Sequence, residues 1–211
     1  MQKKNIYAIV GLVVVLLLYF GIKALINHSR EVKETQAMVV YESAVTDLAN
    51  GNADTAISRC QQILPSVRTP DNKALCLSLM AEAMGTQQRI NEAEEAFAEA
   101  KKLSPTNMIV WIRAGRMYYD GASKRPEERA TEDYTKAQTQ FTEAMKFCPE
   151  RDYKQKQELL FYLGDISEKI GLFDDAQRKY EELVKLADTY PETKHPKYDE
   201  VVKRLKVLEN E

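Results

Sequence analysis

NEAEEAFAEAKKLSPTNMIVWIRAGRMYY, residues 91–119, decides the fold. Ala93, Phe97 and Ala100 recur three and four residues apart, which stacks them on one face of a helix. Pro105 then stops that helix, because it has no N–H to donate and its ring clashes with the preceding turn. A second stripe starts beyond it at Trp111, Gly115 and Tyr118. The stretch reads as the end of one helix, a stop, and the start of the next, with small residues where the two approach and aromatics around them.

Working outward, alignment of the alanines at 56, 93, 137 and 176 exposes four copies of the same helical hairpin. The second carries Leu77, Ala81, Ala93, Phe97, Ala100 and Pro105. The third carries Trp111, Ala114, Gly115 and Tyr118, then Ala137, Phe141, Ala144 and Pro149. The fourth has Leu160, Leu163, Gly164, Gly171, Ala176 and Tyr180 but no closing proline in place. The first keeps Ala44, Gly51 and Ala56, with Cys60 where an aromatic is usual.

At these positions the chain resembles a tetratricopeptide repeat protein, built from helix-turn-helix units of about 34 residues. The resemblance implies an all-α fold: a right-handed superhelical solenoid of about four hairpins. They would span about 37–70, 74–107, 108–151 and 157–190, within a repeat domain at 37–196. Degenerate end repeats are expected, since each lacks one neighbour. Tyr198, Val201, Val202, Leu205 and Leu208 at helical spacing predict a capping helix within 197–211. The main departure lies in the third copy, where Ala137 comes about ten residues late. The intervening GASKRPEERATEDY, residues 121–134, has seven charges in 14 residues and reads as a solvated inserted loop or as a loop between extended helix ends. It also resembles the longer Sel1-type repeat.

Ahead of the repeats, residues 6–22 contain no charge. With Lys23 snorkelling, the apolar stretch reaches Ile26, about 31 Å of helix against a bilayer core of about 30 Å. The segment 1–26 is therefore expected to be a single transmembrane anchor placing the chain in a lipid bilayer. A cleaved signal peptide is the rival, with Lys3 and Lys4 as its basic start, but no small-x-small cleavage pattern follows. Cations are nearly balanced on the two sides. A short basic tail held in the cytoplasm corresponds to a bacterial inner-membrane protein with its repeats on the periplasmic side. No Gly or Pro occurs between Ile22 and Asn50, so the helix is expected to continue through 27–36 into the first repeat.

Composition excludes several classes. Of 30 basic and 32 acidic residues, five and two precede residue 37, which leaves the remainder at net −5 without a basic stripe. That disfavours nucleic acid. Two histidines, His28 and His195, supply neither a metal pair nor a Ser-His-Asp triad, and singly scattered glycines form no phosphate loop. No catalytic, metal or cofactor residues are expected, nor a small-molecule substrate. The three cysteines read as core thiols; a Cys60–Cys76 bridge stays open, since sequence does not supply the geometry.

The resemblance also implies where a ligand would sit. In the family the first helix of each hairpin lines a concave groove, which assigns Tyr41, Val45, Glu82, Ile112, Arg116, Tyr119, Phe161 and Asp165 as partner-facing candidates. The two-lysine carboxylate clamp of some relatives is absent, since Tyr41 and Val45 occupy its first positions. Arg116, with Arg113 nearby, would grip a carboxylate or else pair internally with Glu82 or Asp165. The expected function is a membrane-anchored interaction protein that binds a peptide or protein partner and supports assembly of a membrane or envelope complex. The alternative is a permanent structural subunit of such a complex.

Overall fold

The computed structural model describes residues 2–208, with side chains from residue 19 onward except 127–129. Among the described residues there are nine α-helices and no strand. They are α1 (Gln2–Ala49), α2 (Ala53–Ile63), α3 (Pro70–Thr86), α4 (Ile90–Leu103), α5 (Met108–Ala122), α6 (Glu127–Lys146), α7 (Tyr153–Lys169), α8 (Phe173–Thr189) and α9 (Tyr198–Leu208). The end of α1 pairs with α2, then α3 with α4, α5 with α6 and α7 with α8, and α9 packs on α8.

The signature residues hold these pairs together. A Cβ on Gly115 would lie 2.7 Å from the Phe141 ring, and one on Gly164 would lie 2.5 Å from the Tyr180 ring. Only glycine permits each first helix to rest on the aromatic of its partner. Between hairpins the same device recurs at Gly85, where a Cβ would meet the Met117 side chain. The apolar interior is correspondingly continuous from one unit to the next. Met117 belongs to the first cluster and Ile112 to the second, while Leu159 and Leu160 divide between the second and third. Each helix pair thus buries its faces on its neighbours, as in a one-dimensional array.

Turn chemistry sets the units apart. Five residues before the signature alanines of copies one, two and four stand Gly51, Gln88 and Gly171, with φ of 82°, 63° and 78°. This left-handed turn suits glycine and strains glutamine. Asn107 caps α5 by accepting from the Ile109 amide at 3.2 Å, and Asp152 caps α7 by accepting from Gln155 at 3.1 Å. The Trp111 indole donates to the Pro105 carbonyl at 2.8 Å and so latches the proline stop to the next helix.

Of the two readings of residues 121–134, extended helix ends hold rather than a long loop: 121–122 complete α5, 127–134 open α6, and only 123–126 connect them. The charges mask a continuing apolar stripe, Ala130, Tyr134, Ala137 and Phe141, all buried. Arg125 pairs with the buried Asp133 at 2.6 Å to close the longer hairpin. In the fourth copy, where no proline stops it earlier, α8 runs on to Thr189, inside the expected 157–190. All three cysteines are free, and Cys60 and Cys76 are buried neighbours.

α1 is one unbroken helix through 27–36. Among the described residues no helix is long and apolar enough to cross a membrane. The anchor expectation falls mostly on 6–18, whose side chains lie outside the described residues. Tyr19, Phe20, Ile22, Leu25 and Ile26 are exposed.

Candidate functional site

The first helices of the hairpins, α1, α3, α5 and α7, present the candidate groove residues. α5 packs directly on α3, whereas α7 meets the preceding hairpin through α6 rather than α5. The space between α5 and α7 is therefore spanned by long side chains.

The eight candidates separate into two groups. Tyr41, Ile112, Phe161 and Asp165 are buried. Tyr41 packs in the first core cluster beneath the Arg113 guanidinium, 5.5 Å from its ring centre, and Ile112 belongs to the second cluster. Phe161 stacks on His195 with ring centres 4.8 Å apart, covered by the chain that follows α8. Val45, Glu82, Arg116 and Tyr119 are only partly buried and remain on the face. As open contact residues, the first four are thus replaced by core and by the protein's own C-terminal segment.

The charged members are engaged with one another across helices. Arg113, with a side chain 8% exposed, meets Glu82 at 3.2 Å and donates to the Leu75 carbonyl and the Ser78 hydroxyl, both at 3.0 Å. These contacts engage its Nε and Nη1 inside the protein. Arg116 pairs with Glu158 on α7. Of the two internal partners expected for Arg116, neither Glu82 nor Asp165 is the one used. Its side chain is 36% exposed, and its Nε is buried without an acceptor.

Asp165 is the most connected carboxylate. It accepts from the Tyr119 hydroxyl at 2.6 Å, pairs with Arg204 of α9, and lies 3.6 Å from Lys169. Arg204 also reaches Glu200 at 2.5 Å, Glu168 at 3.3 Å and the Tyr180 hydroxyl at 3.1 Å. Sequence reasoning did not single out Arg204. The signal is its place on the stripe Val201, Arg204, Leu205, Leu208, where a lone cation among apolar residues implies a buried anion opposite.

These surroundings set the ionisation. Burial pushes the Glu82 carboxyl up, against the opposing charges of Arg113 and Arg116. Partial desolvation by its neighbours likewise raises Asp120, against the charges of Lys124 and Arg116, although its surface stays open. Tyr119 is raised by burial and then by its bond to Asp165, so its phenol stays protonated at physiological pH. For Arg116, the burial that would lower its pKa is outweighed by Glu158, Tyr162 and Glu82, and it stays charged. Among the described residues no three His, Cys, Asp or Glu side chains converge as a metal site. The arrangement offers a largely neutralised surface, with polar groups concentrated at Arg116, Tyr119 and Asp120.

Known structures share this arrangement of helices. PilF of Pseudomonas aeruginosa superimposes with a TM-score of 0.61 at 16% identity, over 82% of this chain and 71% of that one. A signal transduction ATPase with numerous domains from Pyrococcus horikoshii, which has a tetratricopeptide repeat sensor, gives 0.57 at 19% identity over 82% of this chain. The fold is a tetratricopeptide-like helical repeat. This chain spans 27% of the Pyrococcus protein. No family model matches the sequence, and no curated protein sequence matches it.

Proposed function

We propose that the chain is a membrane-tethered interaction protein without enzymatic activity. Its first-helix face binds a peptide or protein segment and supports assembly or biogenesis of a membrane complex, with the repeats on the periplasmic side of a bacterial inner membrane. The observation that carries the binding reading is the space between α5 and α7. There a partly exposed Arg116 stands on the same helix as Tyr119 and the exposed Asp120. A segment offering a carbonyl or carboxylate beside an apolar side chain fits this chemistry. The repeats of the Pyrococcus neighbour are described as a sensor, which supports a recognition role. Tethering rests on the uncharged run at 6–22 and on the unbroken α1, which joins it to the first repeat without a hinge. An anchor of this kind raises the effective concentration of the groove at the membrane.

The test is native pull-down of the full chain with its N-terminal segment retained, comparing wild type with Arg116→Glu/Asp120→Lys. Capture of partners is expected to fall at least several-fold with helical content unchanged; equal capture refutes the groove. Size analysis after gentle detergent extraction separates a client binder, found largely free, from a permanent subunit held in one assembly. Resistance of the full chain to alkaline extraction from membranes tests the anchor itself.

A further inference from the structure

Where α1 leaves the first repeat, one face changes character. Ala37, Tyr41 and Ala44 pack that face into the core. Going back along the same stripe by steps of three and four come Lys33, Arg30 and Ile26. They do not meet apolar partners. They line an open notch of about 470 Å³ whose opposite wall is Pro65, Ser66 and Arg68, at the turn between α2 and α3. Three cations thus share one concavity, and no carboxylate lines it. None of the three has an ion-pair partner among the described residues, and all are exposed. The nearby carboxylates are directed elsewhere. The Oε1 atom of Glu34 accepts from the Thr69 amide, the Thr69 hydroxyl and the Asn72 amide group at 3.0, 2.6 and 2.9 Å. Glu31 is rotated about 100° around α1 from Arg30.

A cluster of like charges facing one another across a notch calls for an anion, and its height along α1 specifies the source. Arg30 and Lys33 lie four and seven residues beyond Ile26, about 6 and 10 Å along the helix. The headgroup layer extends about 5–7 Å beyond the hydrocarbon on each side, and a lysine stem bridges the remainder. Below the notch, Ile22, Leu25 and Ile26 are exposed apolar residues on the side toward the chain's start.

We propose that this notch holds the phosphate of an anionic phospholipid headgroup and thereby seats the first repeat against the membrane surface. The lipid phosphate bridges Arg30 and Lys33 on one wall to Arg68 on the other. It fixes the tilt of the solenoid about an α1 that is already rigid. The inference rests on the anchored reading of residues 6–26.

The test uses the full chain in detergent micelles, titrated with phosphatidylglycerol or phosphatidylcholine, with retained lipid counted by native mass spectrometry. Phosphatidylglycerol is expected to be retained preferentially. Arg30→Gln/Lys33→Gln/Arg68→Gln is expected to lower its affinity on the order of a hundredfold, at roughly a factor of five for each near-surface cation. The control Arg151→Gln/Lys154→Gln/Lys185→Gln removes the same charge from exposed positions far from the notch and is expected to leave the affinity unchanged. Equal retention of the two lipids, an equal loss in both triple variants, or displacement of the lipid by inorganic phosphate at comparable concentration overturns the proposal. Alkaline extraction from phosphatidylcholine vesicles, run alongside, reports on the anchor alone, so failure of the anchor and failure of the notch are read separately.

Discussion

Gly164→Ala is expected to destabilise the protein although alanine is the better helix residue. A methyl group there would sit 2.5 Å from Cε1 and 2.7 Å from Cδ1 of Tyr180. That is about 1 Å inside ordinary carbon–carbon contact. The ring has nowhere to go, since Tyr180 has no exposed surface and its hydroxyl is bonded to Glu168 at 3.0 Å and Arg204 at 3.1 Å. Overpacking of this kind costs about 1–3 kcal/mol, against roughly 1 kcal/mol gained from replacing a helical glycine. With the ring tied at its far end the steric cost falls in the upper part of that range, for a net loss of about 1–2 kcal/mol. Gly121→Ala is the internal comparison: it also lies in a helix, and nothing stands within 4 Å of its Cβ position. It retains the propensity gain without the clash and is expected to stabilise by up to about 1 kcal/mol. The two variants should therefore differ by about 5–10 °C in Tm for a domain of this size, measured by circular dichroism on the full chain. Adding Tyr180→Leu to Gly164→Ala should cost less than the two single effects combined, because the smaller side chain relieves the contact. A Gly164→Ala protein as stable as Gly121→Ala would refute the close-packing account of the repeat.

Three further outcomes follow from particular residues. Gln88→Gly is expected to raise stability by about 0.5–1 kcal/mol, because Gln88 holds a φ of 63° that glycine adopts without steric cost; an unchanged melting curve would count against strain at this turn. Bonds from Thr69 and Asn72 hold the Glu34 carboxyl at about 2, below the 4.5 of a free glutamate. The clasp between α1 and the start of α3 is therefore complete above about pH 4.5 and is lost progressively as pH falls toward 2. Hydrogen exchange at the Thr69 amide should show that profile in the wild type and lose it in Glu34→Gln. Asp165→Ala strips Arg204 and Tyr119 of a shared acceptor and is expected to cost roughly 2–4 kcal/mol, discounted for the 28% exposure of the Arg204 side chain. Faster exchange across α9 should accompany it, and unaltered protection there would show that α9 is held by its apolar stripe alone.

The helical hairpins were legible because their information is local. Ala93, Phe97 and Ala100 mark one face by spacing alone, Pro105 ends a helix wherever it stands, and Gly115 signals a close approach before the approaching ring is known. The same logic left two readings open at 121–134, a long loop or extended helix ends. Charge density there indicated solvent, while the buried Ala130 and Tyr134 continued the stripe of α6. A helix with one exposed face has high charge content without being a loop.

The groove was legible only as a set of positions. Family register selected the residues on one side of each first helix, but whether such a residue meets a partner or its own chain depends on what the solenoid brings opposite it. Arg116 and Glu158 are 42 residues apart, and Asp165 and Arg204 are 39 apart. No periodicity connects such pairs, so their neutralisation of the face emerged only from packing. Phe161 shows the same limit: its helix position points to a ligand surface, and the turn after α8 returns to cover it with His195. By itself, then, the sequence determined an all-helical repeat and an uncharged N-terminal run leading without Gly or Pro into its first unit. Only the tertiary structure decided which candidate residues remain open and that Arg30, Lys33 and Arg68 share one notch, because burial and charge pairing are set by segments distant in the chain.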